Sequence, residues 1–300
     1  METVTLTNYD SENKQLTAVI TPSHGMNLLS YKRDSVEVMD QSTHEEFLMR
    51  YSGHGPLIGP HFHEFTQHTL PSSVTSEKFP HVKIMQERKR KDPFSHGIAR
   101  YAPWSYVHSG TQIQGELHGK DLWNGVPLQD IEGQDFEMRF EARLLSTGLF
   151  IKYSIQSEKP SVIGLHYYFA LQGETSYFQT HVRSKLNDNG TLKAVPQEVL
   201  SHDHELLHLP LDEAHDCGFY PLEDEKGFRT SLVTQDYTLN AHYFVPNSME
   251  FMVQVYRPEN APYCCIEPLS AQEPRMPVLT HSQLECKLEI HPSPHSMKQD

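Results

Sequence analysis

A strict alternation of apolar and charged residues over 136–156 constrains this chain more than any other feature. Met138, Phe140, Ala142 and Leu144 are apolar, and Glu137, Arg139, Glu141 and Arg143 between them are charged. After Ser146-Thr147-Gly148 the alternation resumes, with Leu149, Ile151, Tyr153 and Ile155 against Lys152, Ser154 and Gln156. Successive side chains on a strand point to opposite faces, so each segment has one dry and one wet face. The link ends in Gly148, which tolerates the positive φ that a tight turn demands. A β-hairpin over 136–156 is expected.

The same period recurs along the chain. Ile113, Gly115 and Leu117 share a face, as do Leu239, Ala241, Tyr243 and Val245. So do Phe251, Val253 and Val255, and then Leu284, Cys286, Leu288 and Ile290. Shorter strands are expected at 16–20, 26–31, 82–86, 161–166, 177–182 and 228–234. Helix signals are few. Thr43-His44-Glu45-Glu46 spells a capping box that opens one short helix, and a second short helix is expected within 197–208. Strands run evenly to residue 290 without a composition break or a repeat. That pattern predicts an all-β chain folded as one large antiparallel sandwich over 1–290. Residues 291–300, with Pro292 and Pro294, read as a disordered tail.

Composition excludes several functions. The 25 Lys and Arg against 39 Asp and Glu leave a net charge of −14, which argues against a nucleic-acid partner. No apolar run approaches the ~18 residues of a membrane-spanning helix. Met1–Asp10 lack a basic segment followed by an apolar core, so no secretory signal is expected. Cys217, Cys264, Cys265 and Cys286 contain no C-x-x-C pair, which fits a reduced, cytoplasmic protein.

The 20 histidines invite metal readings. His204-Glu205-Leu206-Leu207-His208 matches H-E-x-x-H, which on a helix presents two imidazoles to zinc with the Glu as base. This is the zinc-hydrolase alternative. Pro196 and Pro210 bound the segment, and Ala214 stands where a third His would fall, so a short surface helix without metal is expected. Gly55-(x5)-His61-x-His63 resembles the opening of a cupin metal site. Gln67 and His68 stand where that site needs a carboxylate, so a His-lined loop is expected there. Arg88-Lys89-Arg90-Lys91 is a basic run that reads as a solvated loop or, less commonly, an anion contact.

Five segments form a constellation. Gly53–Phe62 is a Gly/Pro-rich loop. Ser95-His96-Gly97-Ile98-Ala99-Arg100, followed by Trp104, offers an imidazole, a guanidinium and an indole. His166 stands at a strand end before Tyr167-Tyr168-Phe169. Asp216 follows His215 in an expected turn. Glu267 ends the apolar strand Cys265-Ile266-Glu267, stopped by Pro268. In their order and spacing these segments resemble the aldose 1-epimerase, or galactose mutarotase-like, family. His96–Trp104 and the Gly53–Phe62 loop are similar to its hexose-6-phosphate mutarotase branch.

The resemblance implies a galactose mutarotase-like β-supersandwich with an open sugar cleft. It implies a cofactor-free, metal-free isomerase that interconverts the anomers of a hexose or hexose 6-phosphate. Glu267 would be the general base, His166 the general acid and His96 an orienting partner. Asp216 would be the ligand of a sugar hydroxyl. From their own chemistry, Trp104, Tyr167 and Phe169 are expected to pack on the sugar's apolar face, and Arg100 and His61 to offer it positive charge. The family's early arginines have no counterpart in the first loop, where His61 and His63 stand. A non-catalytic carbohydrate-binding sandwich is the other alternative. The expected partner is a small sugar or sugar phosphate, with no nucleic acid and no membrane; oligomeric state is left open.

Overall fold

The computed structural model describes residues 1–64, 69–173, 175–188, 190–202, 205–222, 227–246 and 248–293. Val4–Tyr9, Gln15–Thr21, Asn27–Arg33 and Val36–Glu37 form a four-stranded antiparallel sheet in chain order. The other large sheet has 16 strands, and one of them, Tyr177–Asp188, serves as its spine. The first residues of the spine pair with Leu206–Pro210 and Phe228–Val233. From Val182 onward it pairs with His215–Pro221, with a register shift between Val182 and Leu186. Such an irregularity bends a strand and lets it cross from one half of a sandwich to the other.

One half continues from Phe228–Val233 through Tyr237–Phe244, His281–Pro292, Gly148–Ser157, Phe136–Leu145, Gln112–His118 and Ser105–His108. The other continues from His215–Pro221 through Met252–Arg257 and Tyr263–Leu269 to the short Gly164–Leu165 and Leu57–Ile58. Tyrosine hydroxyls tie the layers together. Tyr153 Oη donates to the Ile58 carbonyl at 3.1 Å. Tyr31 Oη donates to the Leu288 carbonyl at 2.9 Å and accepts from the Leu149 N–H at 3.0 Å. One cluster of buried side chains runs from Val4 to Ile290 through all these layers.

The hairpin forms as its alternation requires. Phe136–Leu145 and Gly148–Ser157 pair with Leu145 opposite Gly148, and Met138, Phe140, Ala142 and Leu144 are buried. The strands expected at 16–20, 26–31, 177–182 and 228–234 are present, most of them longer than their core pattern. At 161–166 only Gly164–Leu165 is strand.

Four expectations are corrected. Residues 82–86 lie in the helix Pro80–Glu87, whose buried residues His81, Val82 and Met85 share a helical face. Pro80 sits in its first turn, where the missing N–H costs nothing. The segment 197–208 is not one helix. Gln197–Val199 is a single 3₁₀ turn, and Leu206–Pro210 is a strand on Tyr177–Asp188 with Leu207 and Leu209 facing inward. His291 and Pro292 belong to the strand His281–Pro292 rather than to a tail; residues 294–300 lie outside the described residues. The helix expected after Thr43 is present as His44–Arg50, but without a capping box: Thr43 Oγ1 accepts from the His54 N–H at 3.2 Å instead.

Candidate active site

The site is built on one face of the half-sheet around Tyr263–Leu269, in which Glu267 lies within the strand rather than at its end, because the strand runs on through Pro268. Tyr167 faces Ile266, Tyr168 faces Cys265, and Gly164 faces Leu269, so His166 falls opposite Glu267. On the other flank Gln254 and Tyr256 face Glu267 and Cys265. Beyond them Gly218 and Asp216 face Gln254 and Tyr256. Alternate residues of a strand share a face. The floor therefore carries two neighbouring rows, Gly218-Gln254-Glu267-His166 and Asp216-Tyr256-Cys265-Tyr168. Gly218 keeps the floor flat: a Cβ there would meet Met252 Sδ at 2.2 Å.

His166 Nε2 lies 3.2 Å from Glu267 Oε1, and both side chains are buried. Tyr168 stacks on the His166 ring at 5.0 Å, and His96 meets it edge-on at 5.1 Å. Burial raises the Glu267 carboxyl to about 8; Arg100 opposes that rise and Asp216 adds to it. Burial and then Arg100 hold His166 well below the usual imidazole range. His96 is lowered in the same way, with His166, His63 and His61 adding to the effect. At neutral pH the Glu267–His166 pair thus holds one proton, carried by Glu267 in the free protein.

Several polar atoms here have no partner. Glu267 Oε2, His166 Nδ1 and both Nε and Nη2 of Arg100 are buried without a hydrogen bond. Each such group costs on the order of 1–3 kcal/mol, which a bound polar ligand offsets when it supplies partners. Arg100 lines the cavity, and its guanidinium carbon lies 6.0 Å from the centre of the Tyr101 ring.

His96 is held by two loops. Its φ of 69° and that of Gly97 at 86° are left-handed. The Gly59 N–H donates to the His96 carbonyl at 2.8 Å, and the Ala99 N–H donates to the Gly59 carbonyl at 3.0 Å. The His96 N–H donates to the His63 carbonyl at 2.8 Å. In return the His63 N–H donates to His96 Nδ1 at 3.3 Å, an arrangement that assigns the ring proton to Nε2.

Above the floor opens a cavity of about 500 Å³, within the size range of small-molecule sites. Glu267, His166, His96, Arg100 and Asp216 all line it. Asp216 sits on the strand His215–Pro221 rather than in a turn, and its Oδ1 accepts from Gln254 Nε2 at 2.7 Å. Phe62, Tyr168, Tyr256 and Tyr263 supply aromatic wall.

The sequence reading missed Arg50 and Arg275, which also line the cavity. Arg50 ends the helix His44–Arg50, three residues before the Gly53 loop, so a cation does reach the site from that region. It pairs with Glu46. Arg90, from the basic run, lines the cavity and meets Glu64 at 3.4 Å, whereas Arg88 meets Glu46 at 3.2 Å. Gln254 was legible only as the outward side of an alternating strand, with nothing local to name its neighbour.

Four expected sugar contacts lie elsewhere. His61 turns away from the cavity, 2.9 Å from Asp92 Oδ2 and 2.9 Å from Glu132 Oε2; Phe62 and His63 of the same loop line the cavity instead. Trp104, Tyr167 and Phe169 are core. The Trp104 Nε1–H donates to the Ala99 carbonyl at 3.0 Å, and the indole packs beside Phe140 and Tyr153. Of the zinc motif, Leu206, Leu207 and His208 lie on a strand rather than a helix. His208 is on a strand, its ring stacked on Tyr177 at 4.1 Å and its Nδ1 3.0 Å from Gln179 Nε2. His204 lies outside the described residues.

Among the described residues one group has metal-ligand spacing: His166, Cys265 and Glu267 each offer a ligand atom, all within 4.8 Å of one another. Burial pushes the Cys265 thiol well up, which opposes the thiolate a metal needs.

No protein-family model matches the sequence, and no curated protein matches it. Solved structures do. A galactose mutarotase-like protein from Lactobacillus casei aligns over 97% of this chain and 100% of its own, with TM-score 0.67 at 15% identity. A galactose mutarotase related enzyme from Lactobacillus acidophilus aligns over 97% of each chain, with TM-score 0.63 at 18% identity. An aldose epimerase homologue from C. elegans covers 97% of this chain and 99% of its own, with TM-score 0.64 at 13% identity. With its bent spine strand, its two-layered antiparallel sheet and these likenesses over nearly the whole length, the chain has the galactose mutarotase-like fold.

Proposed function

We propose that the protein is an aldose 1-epimerase acting on a hexose or a hexose 6-phosphate. The observation that carries this reading is the buried Glu267–His166 pair, 3.2 Å apart at the floor of a polar cavity. Anomer exchange needs one proton removed from the C1 hydroxyl and one delivered to the ring oxygen. The C1–O5 bond then breaks, leaving a C1 aldehyde and a C5 hydroxyl. Rotation about C1–C2 and the reverse transfers close the other anomer. A carboxylate and an imidazole sharing one proton suffice for both transfers, with Glu267 as base and His166 as acid. The base role requires the shared proton to move from Glu267 to His166 when the sugar binds; the nearby positive charge of Arg100 favours the carboxylate form. The His96 ring stands perpendicular to that of His166, 5.1 Å away, as its orienting partner. Free thiols at all four cysteines support a reducing, cytoplasmic setting.

The pH profile follows from the shared proton. The active form of the pair carries one proton, and its tautomers titrate together. Above about 8 the last proton leaves Glu267, so kcat/KM is expected to be level around neutrality and to fall as pH rises through that value. The low-pH limb lies well below 6.5, where His166 gains a second proton. A profile that climbs steadily from pH 7 to 9, after subtraction of the uncatalysed rate, contradicts this.

For substrate charge, Arg275 and Arg90 at the cavity favour the 6-phosphate over the free sugar. The test is polarimetry of fresh α-glucose 6-phosphate, α-glucose and α-galactose. The phosphate reading expects fastest catalysis of the 6-phosphate and a several-fold rise in its KM on Arg275→Ala. Faster turnover of neutral sugars, indifferent to Arg275, overturns that part alone. Sugar binding without any catalysis identifies a carbohydrate-binding protein instead.

A further inference from the structure

His61, Asp92 and Glu132 line no part of the catalytic cavity, yet they join the two loops that hold His96. Glu132 is the last residue of the helix Leu128–Glu132 and is 2% exposed. One of its oxygens lies 2.9 Å from His61 Nδ1; the other accepts the Ile98 N–H at 2.6 Å. On the far side of the ring, His61 Nε2 lies 2.9 Å from Asp92 Oδ2, and Asp92 Oδ1 accepts the Phe94 N–H at 2.8 Å. Burial opposes a charge on His61, but the two carboxylates outweigh it and raise the imidazole to about 9. A charged ring donates from both nitrogens, so it bridges both acids at once.

The bridge has a geometric consequence. His61 is two residues before His63, whose N–H holds His96 Nδ1. Ile98, held by Glu132, is two residues after His96. His96, between these anchors, has a left-handed φ of 69°, which a residue with a Cβ keeps only where the surroundings impose it. We propose that Glu132, bridged to Asp92 by His61, is a positioning residue: it pins the Ile98 N–H and thereby aims the His96 ring at the Glu267–His166 pair. The inference rests on the anomerisation reading for its kinetic arm only.

The test compares three variants at Glu132. Glu132→Ala removes the acceptor for the Ile98 N–H. Glu132→Asp keeps the charge but is one methylene too short to reach it. Glu132→Gln keeps an oxygen acceptor in place and lets a neutral His61 accept from the new amide. Ala and Asp are expected to lower kcat by about 10- to 100-fold with KM within about threefold, the signature of a displaced group rather than a lost binding contact. Gln is expected to restore most of kcat. Independently of activity, long-range ¹⁵N NMR of the ring should show one neutral Nε2–H tautomer for His96 in the wild type and Gln proteins, and mixed tautomers in Ala and Asp. If Ala does not fold, Asp decides.

Asp or Ala protein that is folded, with wild-type kcat and unchanged His96 signals, overturns the proposal. So does a Gln protein that is as impaired as Ala while its His96 spectrum is intact, because charge rather than position would then be responsible. If the wild type catalyses no anomerisation, the catalytic reading fails, and the ring spectra alone decide the positioning.

Discussion

Replacing Glu267 by Gln is expected to lower kcat for anomerisation by about 10³-fold, within the range that one general acid–base group supplies. Stability should barely change. Burial keeps Glu267 largely protonated at neutral pH in the free protein, and a neutral amide of the same shape replaces a neutral carboxyl. KM should stay within a few-fold, because the lost event is proton transfer. The pairing of a large kcat effect with an unchanged unfolding midpoint separates chemistry from collapse. A variant that keeps more than about a tenth of wild-type kcat would remove Glu267 from the reaction.

The largest effect on stability is expected at Gly97. Its φ of 86° and ψ of 162° fall in a region that is essentially glycine's alone. A Cβ there would meet the Gly59 carbonyl oxygen at 2.0 Å, and that oxygen is backbone, so it cannot swing aside. Gly97→Ala therefore strains its own backbone and drives apart two segments joined by the Gly59–His96 and Ala99–Gly59 hydrogen bonds. Strain of about 1–3 kcal/mol, plus roughly 1 kcal/mol for each hydrogen bond weakened, gives a loss of about 3 kcal/mol or more. Urea unfolding measures it. A loss under about 1 kcal/mol would mean that the two loops adapt freely, which would also weaken the case for a fixed His96.

Period-two alternation made most of the sheet legible because it is a local property: residues 138, 140, 142 and 144 declare their face without reference to a partner. It failed at 82–86, where Val82 and Ile84 mimic alternation but Pro80 opens a helix whose buried face is His81, Val82 and Met85. It failed differently at 204–208. There the H-E-x-x-H spelling suggested a helix, and an inward Leu207 and Leu209 on a paired strand prevailed. Register is not local at all. Nothing near Glu267 names His166 or Gln254 as its neighbours; that follows only from which strands pair and at what offset.

The polar residues divide along the same line. His61 looked available for a ligand because its carboxylate partners lie 31 and 71 residues further along the chain. Trp104 looked like a sugar platform, but its segment turns inward and the indole fills core beside Phe140. Arg50 and Arg275 reach the cavity from positions 225 residues apart, a convergence that no spacing announces.

In the proposed reaction the Glu267–His166 pair exchanges sugar anomers by proton transfer. The most direct measurement is NMR saturation transfer between the α and β anomeric protons of glucose 6-phosphate, with glucose and galactose alongside, using chelator-treated protein at pH 7. Irradiation of one anomer is expected to diminish the other in proportion to protein concentration for at least one of these sugars, and Glu267→Gln to abolish the transfer. No transfer beyond the uncatalysed rate for any of them, from protein that is folded and binds the sugar, would contradict it.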